Sequence, residues 1–147
     1  MTICVIGIGN ELRGDDAVGL HVVRALAGVD ATLVECEGEP VGLIAAWDGY
    51  ERAILVDATE SGAEPGTVRR LPAGEKPLPP ELRRSSTHLL GVAEAVELAR
   101  ALGKLPAETV VYGIEGAGFD LGASLSPQAA AAVEIVVAAI RREVESR

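Results

Sequence analysis

The amino-acid sequence predicts an α/β fold of three layers, in which a twisted, mostly parallel sheet of about five strands is flanked by helices. Short runs rich in β-branched residues alternate with stretches at helical spacing, and this order is typical of parallel sheets. The run Ile3–Ile8 is continuously apolar, as expected for a strand buried on both faces. With 147 residues, 48% of them hydrophobic, the chain is predicted to form one domain over residues 1–147.

The first half of the chain opens with a strand over Thr2–Ile8, which breaks into the loop Gly7-Ile8-Gly9-Asn10. A helix is predicted from Asp16 to Leu26, with Asp15 or Asp16 as its N-cap, because an acid before an apolar helical stretch is a common helix start. The elements that follow are predicted as the strand Ala31–Cys36, the short helix Val41–Trp47 and the strand Arg52–Asp57.

The second half begins with a predicted strand over Thr67–Leu71 and a loop whose prolines and charges disfavour regular structure. A helix over Leu89–Leu102 and a buried strand over Thr109–Glu115 come next. Ser126 is predicted to cap the last helix, with Pro127 at its first position, and this helix runs nearly to Arg147.

Composition limits the partners of this chain. A formal net charge of -9 argues against binding of nucleic acid or of an anionic membrane surface, and it favours a protein or cation as the partner.

The apolar run near Met1 is too short to cross a bilayer, and no basic leader precedes it, so we expect a cytoplasmic protein. Cys4 and Cys36 lack the spacing of a zinc site or a disulfide framework and are predicted to be small buried residues.

Three residues are candidates for chemistry because ligands of doubly wound sheets bind beyond the carboxyl ends of the strands. Asp16 follows the first strand and its glycine loop, Asp57 closes the third predicted strand, and His88 stands where the long loop meets the next helix. Two carboxylates and an imidazole can bind a divalent transition metal and leave positions open for other ligands. The sequence does not show that the three converge.

Each candidate also has a structural interpretation. Asp16 could be a helix cap, Asp57 could cap the turn after its strand, and His88 could simply begin a helix. His21 lies within the first predicted helix and is interpreted as structural. Two further acids, Asp15 and Glu115, could form hydrogen bonds that orient a metal ligand. They could equally be ordinary polar residues at the ends of their secondary-structure elements.

The loop after the first strand is also compared with a dinucleotide-binding fingerprint. Gly7-Ile8-Gly9 follows a strand and precedes a helix, and Glu35 stands about where such proteins place an acid for the ribose. However, Leu12 replaces the third glycine, and the carboxylates around the helix start would repel a pyrophosphate. The nucleotide hypothesis is therefore the weaker one, and no nucleotide cofactor is expected.

Four segments together resemble the hydrogenase maturation endopeptidases. They are GIGNELRGDDAVGLHVVRAL, LVDATESGAEPGTVRRL, STHLLGVAEAVELA and the stretch from VVYGIE to Ser126-Pro127 and beyond. The resemblance covers essentially the whole chain, in the order of the family's own motifs. It assigns the family's acids to Asp16 and Asp57 and its histidine to His88.

This resemblance implies an endopeptidase that removes the C-terminal extension of a nickel-iron hydrogenase large-subunit precursor after nickel insertion. It also implies that Asp16, Asp57 and His88 contact nickel that arrives with the substrate, and we expect the enzyme to be a monomer. Attack by water could be assisted by the metal or by a carboxylate acting as general base, and the sequence does not choose between these routes. A noncatalytic metal-dependent binding module and a nucleotide-binding oxidoreductase stay as alternatives.

Overall fold

A computed structural model of the protein describes residues 1–79 and 91–146. Its framework is a five-stranded sheet in the order β2-β1-β3-β5-β4, in which only β4 runs antiparallel to its neighbour. The strands are β1 Ile3–Ile8, β2 Thr32–Cys36, β3 Arg52–Thr59, β4 Val68–Leu71 and β5 Glu108–Glu115. The helices are α1 Val18–Ala25, α2 Pro40–Trp47, α3 Val92–Leu102 and α4 Pro127–Glu145, and a 3-10 turn over Gly14–Ala17 precedes α1.

The helices cover both faces of the sheet. Helices α1 and α4 pack on one face, around residues such as Val5, Ile54 and Val136. Helices α2 and α3 pack on the other face, around residues such as Ile6 and Leu55. Strand β1 is buried along its whole length, as its continuous apolar sequence predicts. The predicted three-layer α/β fold with a mostly parallel sheet is confirmed.

Helix α1 lies unusually close to the sheet because two glycines face each other. An ideal Cβ on Gly7 of β1 would lie 2.2 Å from the carbonyl oxygen of Gly19 in α1. A Cβ on Gly19 would lie 2.4 Å from the carbonyl oxygen of Val56 and 2.6 Å from the backbone nitrogen of Ile8. Neither position has room for a side chain, so the start of α1 rests directly on the ends of β1 and β3.

The predicted N-cap of the first helix is wrong. The residue that caps α1 is Ala17, whose side chain makes no capping hydrogen bond, and Asp15 and Asp16 belong to the 3-10 turn before it. Both acids bind other groups: the carboxylate of Asp15 accepts hydrogen bonds from the loop that follows β5, and that of Asp16 accepts one from the backbone of Asn10.

The predicted end of the third strand is also wrong by two residues. Strand β3 continues past Asp57 to Thr59, because Ala58 and Thr59 pair with Ile114 and Glu115 of β5. Its ladder with β1 ends earlier, at the pair Gly7 and Val56. Asp57 therefore lies inside β3 but one residue beyond the last pair that joins β3 to β1.

Helix α4 begins as predicted. The hydroxyl of Ser126 accepts a hydrogen bond from the backbone nitrogen of Ala129, and Pro127 is the first helical residue. The predicted helix before β5 is described from Val92 onward, and its predicted start at Leu89 lies outside the described residues.

Near its C-terminus, α4 is held to the sheet by Glu143, whose carboxylate binds Arg52, Arg70 and the hydroxyl of Tyr112. Burial opposes the ionisation of Glu143, but these hydrogen bonds and the two arginine charges outweigh it. The pKa of Glu143 consequently lies below its usual value.

Two helical glycines provide a test of the contact between α1 and the sheet. We expect Gly19→Ala to lower the free energy of unfolding by about 3 kcal/mol, because backbone atoms that cannot easily shift surround the site. Gly42→Ala in α2 is the matched control. Its site is open, so the change should raise the free energy of unfolding by about 0.5–1 kcal/mol. Urea unfolding measures both, and equal stabilities of the two variants would contradict the packing described.

Candidate functional site

The candidate site lies at the carboxyl ends of β1 and β3. After β1 the chain passes through α1 to β2, which lies on one side of β1 in the sheet. The next strand, β3, lies on the other side of β1, so the order of the strands reverses direction at this point. In open α/β sheets such a change of direction leaves a crevice between the strand ends, and ligands bind there. The 3-10 turn over Gly14–Ala17 contacts β3 at this edge.

Asp16 lies in that turn and is buried, with 2% of its surface exposed. One carboxylate oxygen, Oδ2, accepts a hydrogen bond of 3.1 Å from the backbone nitrogen of Asn10. Its backbone packs on Gly9, where an ideal Cβ would lie 1.9 Å from the carbonyl oxygen of Asp16. The glycine loop after β1 therefore fixes the position of Asp16, which a larger residue at Gly9 would displace.

Asp57 is likewise buried, with 4% of its surface exposed. Its register partner on β5 is Gly113, and its Oδ1 accepts a 2.8 Å hydrogen bond from the backbone nitrogen of Ala58. Because side chains alternate along a strand, Asp57 points to the same face of the sheet as Ala53 and Leu55, the face covered by α2 and α3.

Asp16 and Asp57 are thus brought to the same edge, one from the turn after β1 and the other from β3. Two buried carboxylates at a crevice can bind a divalent cation, or one of them can act as a general base toward water. His88 lies outside the described residues. Within residues 1–79 and 91–146, no group of three or more His, Cys, Asp or Glu side chains is arranged to hold a metal ion.

A cleft of about 340 Å³ opens beside this edge. Its lining residues are Gly9, Asn10, Glu11, Leu12, Leu20, Arg24, Glu35, Cys36 and Glu37. Arg24 donates to both carboxylate oxygens of Glu35, at 2.9 and 3.0 Å, and to Glu11 at 3.3 Å. The hydrogen bonds from Arg24 lower the pKa of Glu35. The acid that the nucleotide hypothesis assigned to a ribose is therefore bound to Arg24.

Cys36 differs from its predicted role as a buried residue, because it is half-buried and lines the cleft. Burial raises the pKa of its thiol, and the negative charges of Asp57 and Glu37 raise it further. Cys4 is fully buried in β1, where burial raises the pKa of the thiol to about 11. Both cysteines are free thiols.

Asp15, next to Asp16, anchors the loop over residues 116–126 that joins β5 to α4. Its carboxylate accepts three hydrogen bonds of 2.7 Å, from the backbone nitrogens of Ala117 and Ser126 and from the hydroxyl of Ser126. Burial opposes the ionisation of Asp15, but these donors outweigh it, so its pKa lies below the usual value. Spacing along the sequence carried no signal for this role, because the partners are over 100 residues away.

Glu115 performs a similar function on the other side of the edge. Its carboxylate accepts hydrogen bonds from the hydroxyl of Thr59, from the backbone and hydroxyl of Ser61, and from the backbone of Gly62. The loop after β3 is thereby tied to the end of β5. Asp15 and Glu115, for which the sequence left two roles open, both serve as anchors of loops at the carboxyl edge.

Comparison with known proteins identifies the family. Residues 22–143 match the model of a family described as hydrogenase maturation protease. The chain belongs to the hydrogenase maturation protease family. The resemblance stated from the sequence is confirmed, and neither a nucleotide-binding oxidoreductase nor a noncatalytic binding module is favoured. A member of the hydrogenase maturation protease family is a hydrolase that acts on a hydrogenase large-subunit precursor.

Similar proteins span most of the chain. The Hydrogenase 2 maturation protease of Escherichia coli is 31% identical over 96% of this chain and 92% of its own length. A hydrogenase expression/formation protein, HupD of Thiocapsa roseopersicina, is 30% identical over 86% of this chain, which spans 60% of that protein's length. Among solved structures, the NiFe hydrogenase maturation protease HybD of Thermococcus kodakarensis has a TM-score of 0.77 and 29% identity, with 98% of this chain and 99% of that one covered.

Among the residues that the structure describes, no helix combines the length and the apolar character needed to span a bilayer.

The anchor at Asp15 generates a pH-dependent prediction. Because the pKa of Asp15 is lower in the folded protein, its contribution to stability should be fully present above pH 4 and lost as the pH falls through the folded-state value. At pH 7, Asp15→Asn should lower the free energy of unfolding by about 2 kcal/mol, the cost of losing hydrogen bonds to a charged group. Urea unfolding of both proteins between pH 7 and pH 3 measures this difference. A difference that stays constant with pH would show that the charge of Asp15 is not what holds the loop.

Proposed function

We propose that this protein is an endopeptidase that removes the C-terminal extension of a nickel-iron hydrogenase large-subunit precursor after nickel has been inserted. The observation that carries the proposal is the pair of buried carboxylates, Asp16 and Asp57, at the crevice of a chain that belongs to this protease family. The proposed enzyme is a cytoplasmic monomer and uses no nucleotide.

The nickel ion is proposed to be part of the substrate, held by it when the precursor reaches the protease. Asp16 and Asp57 offer carboxylate oxygens to the ion, and His88 is proposed to add an imidazole nitrogen. This set suits a divalent transition metal, since oxygen and nitrogen donors leave positions for the substrate's own ligands. Bound nickel would polarise the scissile carbonyl or a water molecule close to it.

The chain's own residues supply the remaining steps. Asp16 and Asp57 are held by the backbones of Asn10 and Ala58, so their orientation is fixed before substrate binds. A carboxylate of this pair takes a proton from water as the oxygen bonds to the carbonyl carbon, and that proton passes to the departing amine as the peptide bond breaks. Burial of both carboxylates keeps bulk water from competing for their oxygens.

The three proposed residues can be tested against matched controls. Asp16→Ala, Asp57→Ala and His88→Ala should each reduce cleavage of a nickel-loaded precursor by at least about 100-fold, the usual range for loss of an acid, base or metal-contacting group. Asp48→Ala and His21→Ala, at exposed positions of the same residue types, should cleave like the unchanged protein. Cleavage is followed by the gel mobility shift and mass spectrometry of the released peptide. Normal cleavage by a folded Asp57→Ala variant would remove that residue from the mechanism.

Nickel dependence provides a second test. The isolated protein should bind nickel weakly, because two carboxylates and one imidazole are a sparse set for this metal, and it should cleave only precursor that already carries nickel. Metal-free and nickel-loaded precursors are incubated side by side with equal amounts of enzyme. Equal cleavage of both would show that Asp16, Asp57 and His88 act without the substrate's metal.

A further inference from the structure

Two segments meet next to Asp16 of the candidate site. They are residues 10–15, which follow β1, and the loop over residues 116–126. The backbone nitrogen of Gly122 donates a 2.7 Å hydrogen bond to the carbonyl oxygen of Leu12. The backbone nitrogen of Asp15 donates one of 2.9 Å to Gly118 in the same loop, in addition to the bonds that its carboxylate accepts. The two segments are therefore joined at several points before any partner binds.

Each segment exposes one large apolar side chain. Leu12 is 62% exposed and Leu121 is 68% exposed. The loop has an inner side as well, because Phe119 and Leu125 pack against the core cluster between the sheet and α4. Leu121 is exposed between these two partly buried positions, on a loop that the hydrogen bonds of Asp15 anchor. We name the pair Leu12 and Leu121 the apolar rim.

The apolar rim reaches the cleft at the carboxyl edge of the sheet through one of its two residues. Leu12 lines this cleft together with Leu20 and Asn10, and the backbone nitrogen of Asn10 donates the hydrogen bond that holds Asp16. A polypeptide that reached the carboxylates from this side would cross the apolar rim. An anchored surface of this kind binds with a small loss of conformational entropy, because its backbone is already ordered.

Charge around the apolar rim restricts what it can accept. Two cations lie in this region, Arg13 beside Leu12 and Arg24 in the cleft, where Arg24 is bound to Glu11 and Glu35. Carboxylates still outnumber them, because Asp120 is exposed beside Leu121 and Glu37 lines the cleft, and the whole chain carries a net charge of -9. An acidic segment would be repelled by these carboxylates. The surface instead complements a segment with apolar side chains and neutral or cationic neighbours.

We propose that the apolar rim is a docking surface for an apolar, non-acidic segment of the substrate chain that lies close to the scissile bond. This inference rests on the proposed function, since it assigns the occupant to the precursor that the carboxylates would cleave. Leu12 and Leu121 bind the substrate and take no part in proton transfer. Their loss should therefore weaken substrate binding and leave the chemical step unchanged.

The test compares Leu12→Ser, Leu121→Ser and the double variant with Ile135→Ser. Ile135 is a matched control because it is 59% exposed and lies on α4, away from the carboxyl edge. With nickel-loaded precursor as the probe, each rim variant should raise KM about five- to tenfold and keep kcat within about twofold, as for loss of an apolar contact at an interface. Ile135→Ser should leave both constants unchanged. Leu121→Met should keep the KM of the unchanged protein, because methionine retains the apolar surface at this position.

Binding and self-association measurements separate the possible outcomes. Binding of the same precursor to the Asp57→Ala background, measured by calorimetry, should weaken with the rim variants by the same factor as KM. If the unchanged protein cleaves the precursor but the rim variants behave like Ile135→Ser, the docking surface alone is overturned. If the rim variants change the molar mass in solution and not KM, the surface joins copies of this chain and the inference is wrong. Failure of the unchanged protein to bind or cleave any precursor overturns the proposed function, and the docking surface with it.

Discussion

The contact of helix α1 with the ends of β1 and β3 is the constraint on which the rest of the molecule depends. Gly7 and Gly19 have no side chains, so the helix backbone approaches the strand backbone directly. This approach sets the height of the 3-10 turn above the sheet and, through Gly9, the position of Asp16. Three positions without side chains, Gly7, Gly9 and Gly19, therefore determine where the turn that carries Asp16 lies.

A difference in the length of two strand ladders completes the candidate site. The ladder between β1 and β3 ends at the pair Gly7 and Val56, while β3 continues to Thr59 beside β5, so the first position of β3 beyond that ladder has no partner on β1. Asp57 occupies this position, and its negative charge helps to raise the pKa of the Cys36 thiol at the end of β2. A carboxylate deeper in the sheet would lack access to a substrate, and one in the following loop would lack the rigid hydrogen-bonded strand that orients it.

Local patterns in the sequence predicted the order of elements, the parallel character of the sheet and the start of α4, since continuous apolar runs and a Ser-Pro pair act over a few residues. The same patterns could not separate Asp15 from Asp16. One binds the loop after β5 and the other lies at the crevice, and the distinction depends on a segment more than 100 residues away. The end of β3 was missed for a similar reason, because its last two pairs are made with β5.

The anchors at Asp15 and Glu115 also determine which substitutions the loops at the carboxyl edge can accept. Asp15 binds two backbone nitrogens and one hydroxyl, and Glu115 binds two backbone nitrogens and two hydroxyls. Every residue except proline provides a backbone nitrogen, so only the hydroxyl donors demand particular side chains. Loop residues that make none of these contacts can therefore be substituted without loss of an anchor. A new recognition surface can arise by substitution at outward positions of the loop, without rebuilding the fold beneath it.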